Sequence, residues 1–270
     1  MTSGRREWWI EVSGDLTFAR CGALDVPGTA HGFSTRRARG RSDFDLGAAD
    51  SAERVVIDRR PELLRAVGLD GQEPMLMRQV HGATILRASE APETAPEADG
   101  SIALREDWPA PVPAVRVADC VPILLAEASG RALGAVHAGW RGTAAGIVGA
   151  AVRSLERLGV PPGDLRVALG PSIGRCCYRV GPEVVAAVAD STGAAEGEVS
   201  GEHPSGGRTV DLQRANRLQL ERLGVDGTAI HTAPWCTYCE RELFFSYRRE
   251  GRGCGRMMAC IGWTRWNSTG

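Results

Sequence analysis

One cysteine and two histidines stand where strand-like segments end, a position from which side chains can do chemistry in a cleft. Cys120 follows the apolar run 114–117, His137 follows the apolar run 132–136, and His81 ends a third apolar run. Two imidazoles and one thiolate are donors that Zn²⁺ prefers, and three protein ligands leave a fourth position for water or substrate. One hypothesis is therefore a catalytic zinc site formed by these three residues.

Two other interpretations of the same residues stay open. Residue type and spacing alone favour the plainer one, in which the histidines belong to the core and Cys120 is a small buried hydrophobic residue. The other is a cysteine hydrolase in which Cys120 is the nucleophile and His81 or His137 is its base, with Asp119 or Gln79 nearby. Because a zinc site and a hydrolase both need a thiolate beside an imidazole, the sequence does not separate them.

Three arginines, Arg36, Arg141 and Arg248, stand near glycines or at strand ends, as phosphate-binding groups often do. The alternative is that they are solvated surface residues, since the chain is rich in Arg and contains no Lys. Gly139 precedes a predicted helix whose first amide groups could hold an anion. Asp45 lies in the polar sequence DFDLG and is a second candidate for lining a substrate-binding cleft.

The composition is that of an ordinary globular protein. The 270 residues are 43% apolar and 24% charged, and the formal net charge is −1. This charge gives no general attraction to nucleic acid or to an anionic membrane. Apolar runs of roughly eighteen residues, which a transmembrane helix needs, do not occur. The first residues lack the apolar segment of a secretory signal, so we expect a cytoplasmic protein with reduced cysteines.

Cys236 and Cys239 form a Cys-x-x-Cys motif, a spacing that zinc-binding and redox sites use. A zinc ribbon needs a second pair, and Cys254 and Cys260 are too widely spaced to supply it. Aromatic, strand-like residues follow the motif instead of a helix, which argues against a thioredoxin-like role. We therefore interpret the pair first as packing residues and second as a redox site.

Strand-like and helix-like segments alternate, which predicts one α/β catalytic domain over residues 1–270. Polar, Gly-rich or Pro-rich composition predicts flexible loops near residues 36–46, 89–98 and 191–208. Predicted strands cover residues 7–12, 16–21, 75–80, 84–88, 114–117, 132–136, 165–169, 243–247 and 256–261. Predicted helices cover residues 55–57 with 61–67, 143–158, 183–189 and 212–223.

Nine short motifs follow one another along nearly the whole chain: GFSTR (32–36), DLG (45–47), QVHG (79–82), ADG (98–100), ADCVPILL (118–125), VHAGWRGT (136–143), GPSIGRCCYRVG (170–181), FFSYRREG (244–251) and GRM (255–257). This series resembles the polyphenol oxidoreductase "laccase" family. Its members are also called peptidoglycan editing factors and are described as purine nucleoside phosphorylases.

The resemblance implies a layered α-β-β-α fold, related to cysteine hydrolases of the cytotoxic-necrotizing-factor type, with zinc bound by His81, Cys120 and His137. It implies phosphorolysis of adenosine, inosine, guanosine and methylthioadenosine, with deamination of adenosine as a second reaction. In this interpretation the arginines place phosphate and Asp119 moves protons. Family members usually have Asn where this chain has Asp45, and a carboxylate there repels phosphate.

The partners implied are a nucleoside and phosphate, and we expect a monomer or a weak homodimer. Copper is not expected, because four coppers need about ten imidazoles arranged in His-x-His pairs. This chain has five histidines and no His-x-His sequence. The alternative function, suggested by the editing-factor name, is a cysteine amidase that uses Cys120 on peptidoglycan precursors.

Overall fold

Two large β-sheets, one small β-sheet and seven α-helices form the described part of the chain. The structure is a computed structural model and describes residues 7–39, 43–47, 58–90, 92 and 94–264. The strands there are β1 (Trp8–Ser13), β2 (Leu16–Cys21), β3 (Thr29–Ala38), β4 (Ile85–Arg87), β5 (Gly100–Leu104), β6 (Ala114–Val117), β7 (Val121–Glu127), β8 (Ala132–Ala138), β9 (Leu165–Leu169), β10 (Arg179–Val180), β11 (Ser200–Glu202), β12 (Arg208–Val210), β13 (Ile230–Thr232) and β14 (Met257–Trp263). The α-helices are α1 (Arg60–Val67), α2 (Trp140–Ala144), α3 (Ile147–Arg157), α4 (Pro182–Thr192), α5 (Glu196–Val199), α6 (Leu212–Arg222) and α7 (Tyr247–Glu250). Short 3₁₀ helices cover Gly22–Leu24, Ala88–Glu90, Arg105–Asp107, Pro162–Asp164, Gly227–Ala229 and Gly251–Gly253.

The two large sheets differ in their strand directions. The five-stranded sheet has the order β1-β2-β3-β14-β6, and all its neighbours are antiparallel. The six-stranded sheet has the order β13-β9-β7-β8-β5-β4, with parallel pairs at both edges and antiparallel pairs between them. The small sheet, β10-β12-β11, is antiparallel.

Strand β7 shows how the core is shared between the sheets and the helices. Successive side chains of a strand point to opposite faces. Ile123 and Leu125 therefore pack among residues of the helices, whereas Leu124 and Ala126 pack against the five-stranded sheet. Because both faces of this strand are buried, its sequence is a continuous apolar run instead of an alternating one.

Helices cover the outer faces of both large sheets. Val148 of α3, Val185 of α4 and Leu220 of α6 belong to one apolar cluster with the six-stranded sheet. Leu63 and Leu64 of α1 are buried against the five-stranded sheet. Within the described ranges, none of the helices is both long and apolar enough to cross a lipid bilayer.

The predicted α/β class is confirmed, and most of the predicted elements are found near their expected limits. The apolar runs beside Cys120 and His137 are β6 and β8. The single helix predicted over residues 143–158 is instead two helices, α2 and α3. They are separated because Gly146 adopts a left-handed backbone conformation with φ of +73°.

Two predicted strands are wrong. Residues 75–80 are extended but make only isolated bridges with their neighbours, and Pro74 lacks the amide hydrogen that a continuous ladder would need. Residues 243–247 bury Phe244 and Phe245 in a separate apolar cluster without strand pairing. In both segments some apolar residues are buried without strand pairing, Met75 and Met77 in the first and Phe244 and Phe245 in the second. A strand-like pattern does not distinguish this loop packing from a sheet.

Some expectations fall outside the described residues. These are the helix over residues 55–57, residues 40–42 of the first predicted loop, and residues 91 and 93 of the second. The third predicted loop, 191–208, contains α5 and β11, and β12 begins at its end. Its mobility stays a prediction.

His31 is a buried histidine of β3 that remains neutral at ordinary pH. Its Nε2 atom accepts a hydrogen bond from the Cys21 amide at 3.1 Å. Burial, together with the charge of Arg20, lowers the pKa of His31 from 6.5 to about 3. The unfolded chain therefore binds the proton more strongly, and His31 reduces stability as the pH falls from 6.5 towards 3.

We predict that His31 lowers the unfolding free energy by about 1.4 kcal/mol when the pH falls from about 7.5 to about 5.5. His31→Gln keeps an acceptor near the Nε2 position but does not titrate. Over the same pH change, the unfolding free energy of this variant should therefore fall by about 1.4 kcal/mol less than that of the wild type. Urea unfolding at the two pH values measures the difference. His203→Gln, at a partly exposed histidine, is the control and should behave as the wild type; equal pH dependence in all three proteins would contradict the prediction.

Candidate metal and catalytic site

The three predicted metal ligands come together at one end of the six-stranded sheet. Cys120 directly precedes β7 and His137 lies near the end of β8, and these strands are antiparallel neighbours. His81 lies in the loop before β4. The Sγ atom and one ring nitrogen of each histidine all lie within 4.8 Å of one another. His137 is buried and His81 is exposed, so this cluster opens to solvent on the His81 side.

The carboxylate of Asp99 holds both histidines in place. Asp99 is fully buried at the start of β5. It accepts hydrogen bonds from the amides of Val80, His81 and Gly82 at 3.1, 2.9 and 2.7 Å, and from Nδ1 of His137 at 2.8 Å. The loop thereby wraps around the carboxylate, and His81 adopts φ of +61°, which is rare for a residue with a side chain. With Nδ1 engaged, the Nε2 atom of His137 is left for Cys120 or for a metal.

Opposite charges stabilise one another in this cluster. Burial raises the pKa of the Cys120 thiol, but the charge and hydrogen bonds of His137 and His81 outweigh burial and lower it to about 6. Burial lowers the pKa of His137, but the charges and hydrogen bonds of Cys120 and Asp99 outweigh burial and raise this pKa from 6.5 to about 9. At neutral pH Cys120 is therefore a thiolate, the form that binds a metal or acts as a nucleophile.

Gly139 leaves room for this cluster. A Cβ atom at this position would lie 2.9 Å from Cδ2 of His81 and 3.0 Å from Sγ of Cys120. Such contacts are too short, so a side chain at residue 139 would push two of the three donors aside. Gly139 was predicted to line the substrate-binding cleft, and the structure places it against the ligands; contact with a substrate stays a prediction.

Asp119 joins this end of the sheet to the C-terminal part of the chain. Its side chain is buried and accepts hydrogen bonds from the Thr237 hydroxyl and the Arg248 amide, both at 2.7 Å. Its φ of +88° is unusual for a non-glycine residue and turns the chain sharply just before Cys120. Its predicted role in proton transfer is not decided by these contacts and stays a prediction.

Tyr178 was not predicted as a site residue, but it lies close to residues that were. The guanidinium of Arg248 lies 5.0 Å from the centre of its ring. Burial, followed by the charge of Cys120, raises the pKa of the Tyr178 phenol to about 12, and Arg248, Asp119 and Arg141 also act on this pKa. The Tyr178 phenol is therefore within electrostatic range of four of the predicted site residues, and its ring contacts one of them, Arg248.

Arg141 and Arg248 differ in how strongly the protein holds them. Arg141 is exposed, and its guanidinium lies 4.3 Å from the centre of the Trp140 ring and makes no hydrogen bond or ion pair with the described residues. Arg248 donates from Nη1 to the Arg179 carbonyl at 2.6 Å. Arg141 is thus the more available of the two for binding an anion.

Arg36 is not brought to this cluster by any described contact. Its guanidinium forms two hydrogen bonds with Asp43, at 2.9 and 2.5 Å, and a third with Glu250 at 3.1 Å. These carboxylates raise the pKa of Arg36 and neutralise its charge locally. This arrangement favours a structural role over the predicted phosphate contact.

Gln79 and Asp45 also use their side chains within the protein. Gln79 forms a pair of 2.8 Å hydrogen bonds with the backbone amide and carbonyl of Arg116, which fixes the chain two residues before His81. Asp45 accepts from the amides of Gly47 and Arg256, both at 2.7 Å. Both were predicted to bind substrate, and these contacts favour positioning roles.

A family model described as "Multi-copper polyphenol oxidoreductase laccase" matches residues 30–264. The chain belongs to this family. A relative of known sequence, "Purine nucleoside phosphorylase YlmD" of Geobacillus stearothermophilus, is 35% identical over 256 residues, covering 90% of this chain and 93% of the relative. "Adenosine deaminase RL5", from an unknown prokaryotic organism, is 34% identical over 212 residues, covering 76% and 81%.

The fold of the family is also seen in solved structures. The crystal structure of YlmD from Geobacillus stearothermophilus aligns with a TM-score of 0.83 at 33% identity, covering 97% of this chain and all of that one. Bacillus licheniformis protein YfiH aligns with a TM-score of 0.81 at 28% identity, covering 94% and 98%. The mixed α/β fold with several sheets is therefore shared along nearly the whole length of this chain.

We predict that Asp99→Asn weakens zinc binding by about 10- to 100-fold, because an amide cannot accept all four hydrogen bonds and carries no charge. Competition with a chromophoric chelator measures the affinity. Asp211→Asn changes an acid that caps α6 far along the chain and should leave zinc affinity unchanged. Wild-type affinity in Asp99→Asn would show that the carboxylate does not position the histidines.

We predict that Gly139→Ala lowers zinc affinity about tenfold or more, because its Cβ displaces His81 and Cys120. Gly197→Ala is the matched control, since a Cβ there meets no atom within 4 Å. Circular dichroism should show both variants folded. If Gly139→Ala retained the zinc affinity of the control, the donors would not be confined as described.

Proposed function

We propose that this chain is a zinc-dependent purine nucleoside phosphorylase with adenosine deaminase activity. The observation that carries the proposal is the convergence of two imidazoles and one thiolate within 4.8 Å at an open end of the sheet. The names of the relatives support the choice of nucleosides as substrates. The substrates proposed are adenosine, inosine, guanosine and methylthioadenosine, together with phosphate.

The donor set fits zinc. Two nitrogens and one sulfur match its ligand preference, Asp99 fixes the tautomer of His137, and Gly139 leaves the space that the donors require. When bound with three protein ligands, zinc supplies a Lewis acid and lowers the pKa of a coordinated water to about 7. We propose zinc over copper because the chain has five histidines, too few for a multicopper centre.

The surrounding residues suggest how a nucleoside and phosphate are held. Arg141 is available to bind phosphate, and the guanidinium of Arg248 lies against the Tyr178 ring. The aromatic face of Tyr178 provides a surface on which a purine base could stack. In phosphorolysis a phosphate oxygen bonds to C1′ while the bond from C1′ to the base nitrogen breaks, and the base departs as a stabilised anion. In deamination Asp119 is the proposed group that moves protons.

A cysteine hydrolase or amidase acting on peptidoglycan precursors is the second candidate. It is favoured by the Cys120–His137–Asp99 arrangement, in which a thiolate, an imidazole and a carboxylate stand in line. His81 argues against it, because a cysteine nucleophile needs one imidazole and a second on the same sulfur has no role. The metal hypothesis uses all three donors.

Other parts of the interpretation remain proposals. We propose that the fold is related to hydrolases of the cytotoxic-necrotizing-factor type. We also propose a single catalytic domain over residues 1–270 and a cytoplasmic location. The catalytic roles of Arg36, Arg141, Arg248 and Asp119 are proposals too. The same holds for a monomer or weak homodimer.

The decisive experiment measures release of the purine base from adenosine, inosine, guanosine and methylthioadenosine, with and without phosphate, by zinc-loaded protein. We expect phosphate-dependent release that falls at least about 100-fold in His81→Ala, because this variant loses a metal ligand. Cys254→Ala, at a buried cysteine outside this cluster, is the control and should remain active.

The same variant separates the two candidates. A hydrolase that uses only Cys120 and His137 would keep amide-cleaving activity in His81→Ala and after zinc removal, and thiol alkylation would abolish it. No base release from any of the four nucleosides by the zinc-loaded protein would overturn the phosphorylase proposal.

A further inference from the structure

A second cluster of metal-binding side chains lies outside the candidate catalytic site. The sulfur atoms of Cys176, Cys177, Cys236 and Cys239 all lie within 4.8 Å of one another. The sulfur of Cys239 is 3.8 Å from that of Cys176 and 3.4 Å from that of Cys177. All eight cysteines of the chain are within the described ranges, and none forms a disulfide.

The separations fit four thiolates around one ion. Sulfurs bound at about 2.3 Å to a single tetrahedral ion lie about 3.8 Å from one another. An iron–sulfur cluster distributes its cysteines over several metal atoms, which spreads them more widely than the 4.8 Å seen here. The spacing therefore indicates a mononuclear site.

Packing does not account for the four sulfurs. Cys176 and Cys239 are exposed, so burial of a small hydrophobic side chain does not explain why they meet. By contrast, Cys21 and Cys260 are fully buried in apolar clusters and stand apart from this group. The interpretation of Cys236 and Cys239 as packing residues is therefore revised.

The backbone is arranged to bring the two cysteine pairs together. Ser172 and Cys236 form a parallel bridge, and the Thr237 amide donates to the Ser172 carbonyl at 3.0 Å. The Gly174 amide donates to the Cys236 sulfur at 3.2 Å, a contact that stabilises a thiolate. A Cβ at Gly174 would lie 3.2 Å from the Cys176 sulfur, so glycine also leaves space for the cluster.

We propose that Cys176, Cys177, Cys236 and Cys239 bind a structural Zn²⁺ ion. Tetrahedral coordination by four thiolates is a common closed zinc site, without an open position for substrate. The second pair that a zinc ribbon needs is supplied by two adjacent cysteines far upstream, not by Cys254 and Cys260. Binding of this ion does not depend on the proposed enzymatic activity.

The ion would tie together two segments that border the candidate catalytic site. One carries Tyr178 and the Arg179 carbonyl, which accepts from Arg248. The other carries Thr237, which donates to Asp119. The tetrathiolate site therefore stabilises the walls of the cleft without contacting the reacting groups.

The test uses the 270-residue chain in a His81→Ala/His137→Ala background, which removes the proposed catalytic zinc site. Purified under reducing conditions, this protein should retain about one zinc per chain by elemental analysis. Adding Cys236→Ser and Cys239→Ser should remove that zinc, whereas adding Cys21→Ala and Cys254→Ala should not. Absence of zinc from the first protein after incubation with excess zinc, iron bound in its place, or a disulfide within the cluster by mass spectrometry would overturn the proposal.

Two further measurements do not require the cysteine variants to fold. In the His81→Ala/His137→Ala background, zinc should slow the reaction of the four thiols with a disulfide reagent at least about tenfold relative to chelator-treated protein. Cobalt substitution should give the intense thiolate-to-metal absorption and the visible bands of a tetrahedral four-sulfur site. Equal thiol reactivity with and without zinc, or an octahedral cobalt spectrum, would contradict the assignment.

Discussion

The carboxylate of Asp99 determines the geometry of the candidate catalytic site. A buried negative charge is costly unless hydrogen bonds or opposite charges compensate it. Here the compensation comes from three consecutive amides and one imidazole, so the loop of residues 80–82 must close around the carboxylate. That closure places the His81 ring beside the His137 ring, with centroids 4.9 Å apart, although the two residues come from different segments. One side chain thus orients one histidine through the backbone and the other through its ring.

The same electrostatics explain why two chemical interpretations fit one set of residues. A thiolate beside an imidazole is both an incomplete metal site and the resting state of a cysteine nucleophile. The number of donors separates them: a nucleophile is served by one imidazole, whereas His81 and His137 both face Cys120. The backbone also confines the donors, because Gly139 lies close against His81 and the Cys120 sulfur and leaves little free space between them.

The sequence predicted features that depend on local pattern and missed those that depend on tertiary contacts. The apolar runs that form β6 and β8 mark buried strands, and they correctly placed Cys120 and His137 near strand ends. The two residues meet because Cys120 also precedes β7, which pairs with β8, whereas β6 belongs to the other large sheet. The runs at 75–80 and 243–247 have a similar pattern but lie in loops, where only some of their apolar residues are buried, and periodicity does not reveal this difference. Asp99 belongs to the ADG motif immediately before a buried strand. An acid in that position is a sequence feature from which its role in orienting the two histidines could have been predicted. Tyr178 and the four clustered cysteines could not be found by spacing, because loops from distant segments bring them together.

The separation of the ligands along the chain has a consequence for biosynthesis. His81, Cys120 and His137 meet only when β8 is paired with both β5 and β7, so a nascent chain offers no assembled three-donor site. A metal held by these three donors would therefore be acquired by the folded protein. The identity of the ion then depends on which metals the folded protein encounters, and for such donors copper binds more tightly than zinc at equal availability. Protein from an overexpressing host consequently reports the metal supply of that host, and metal content has to be interpreted together with the conditions of growth.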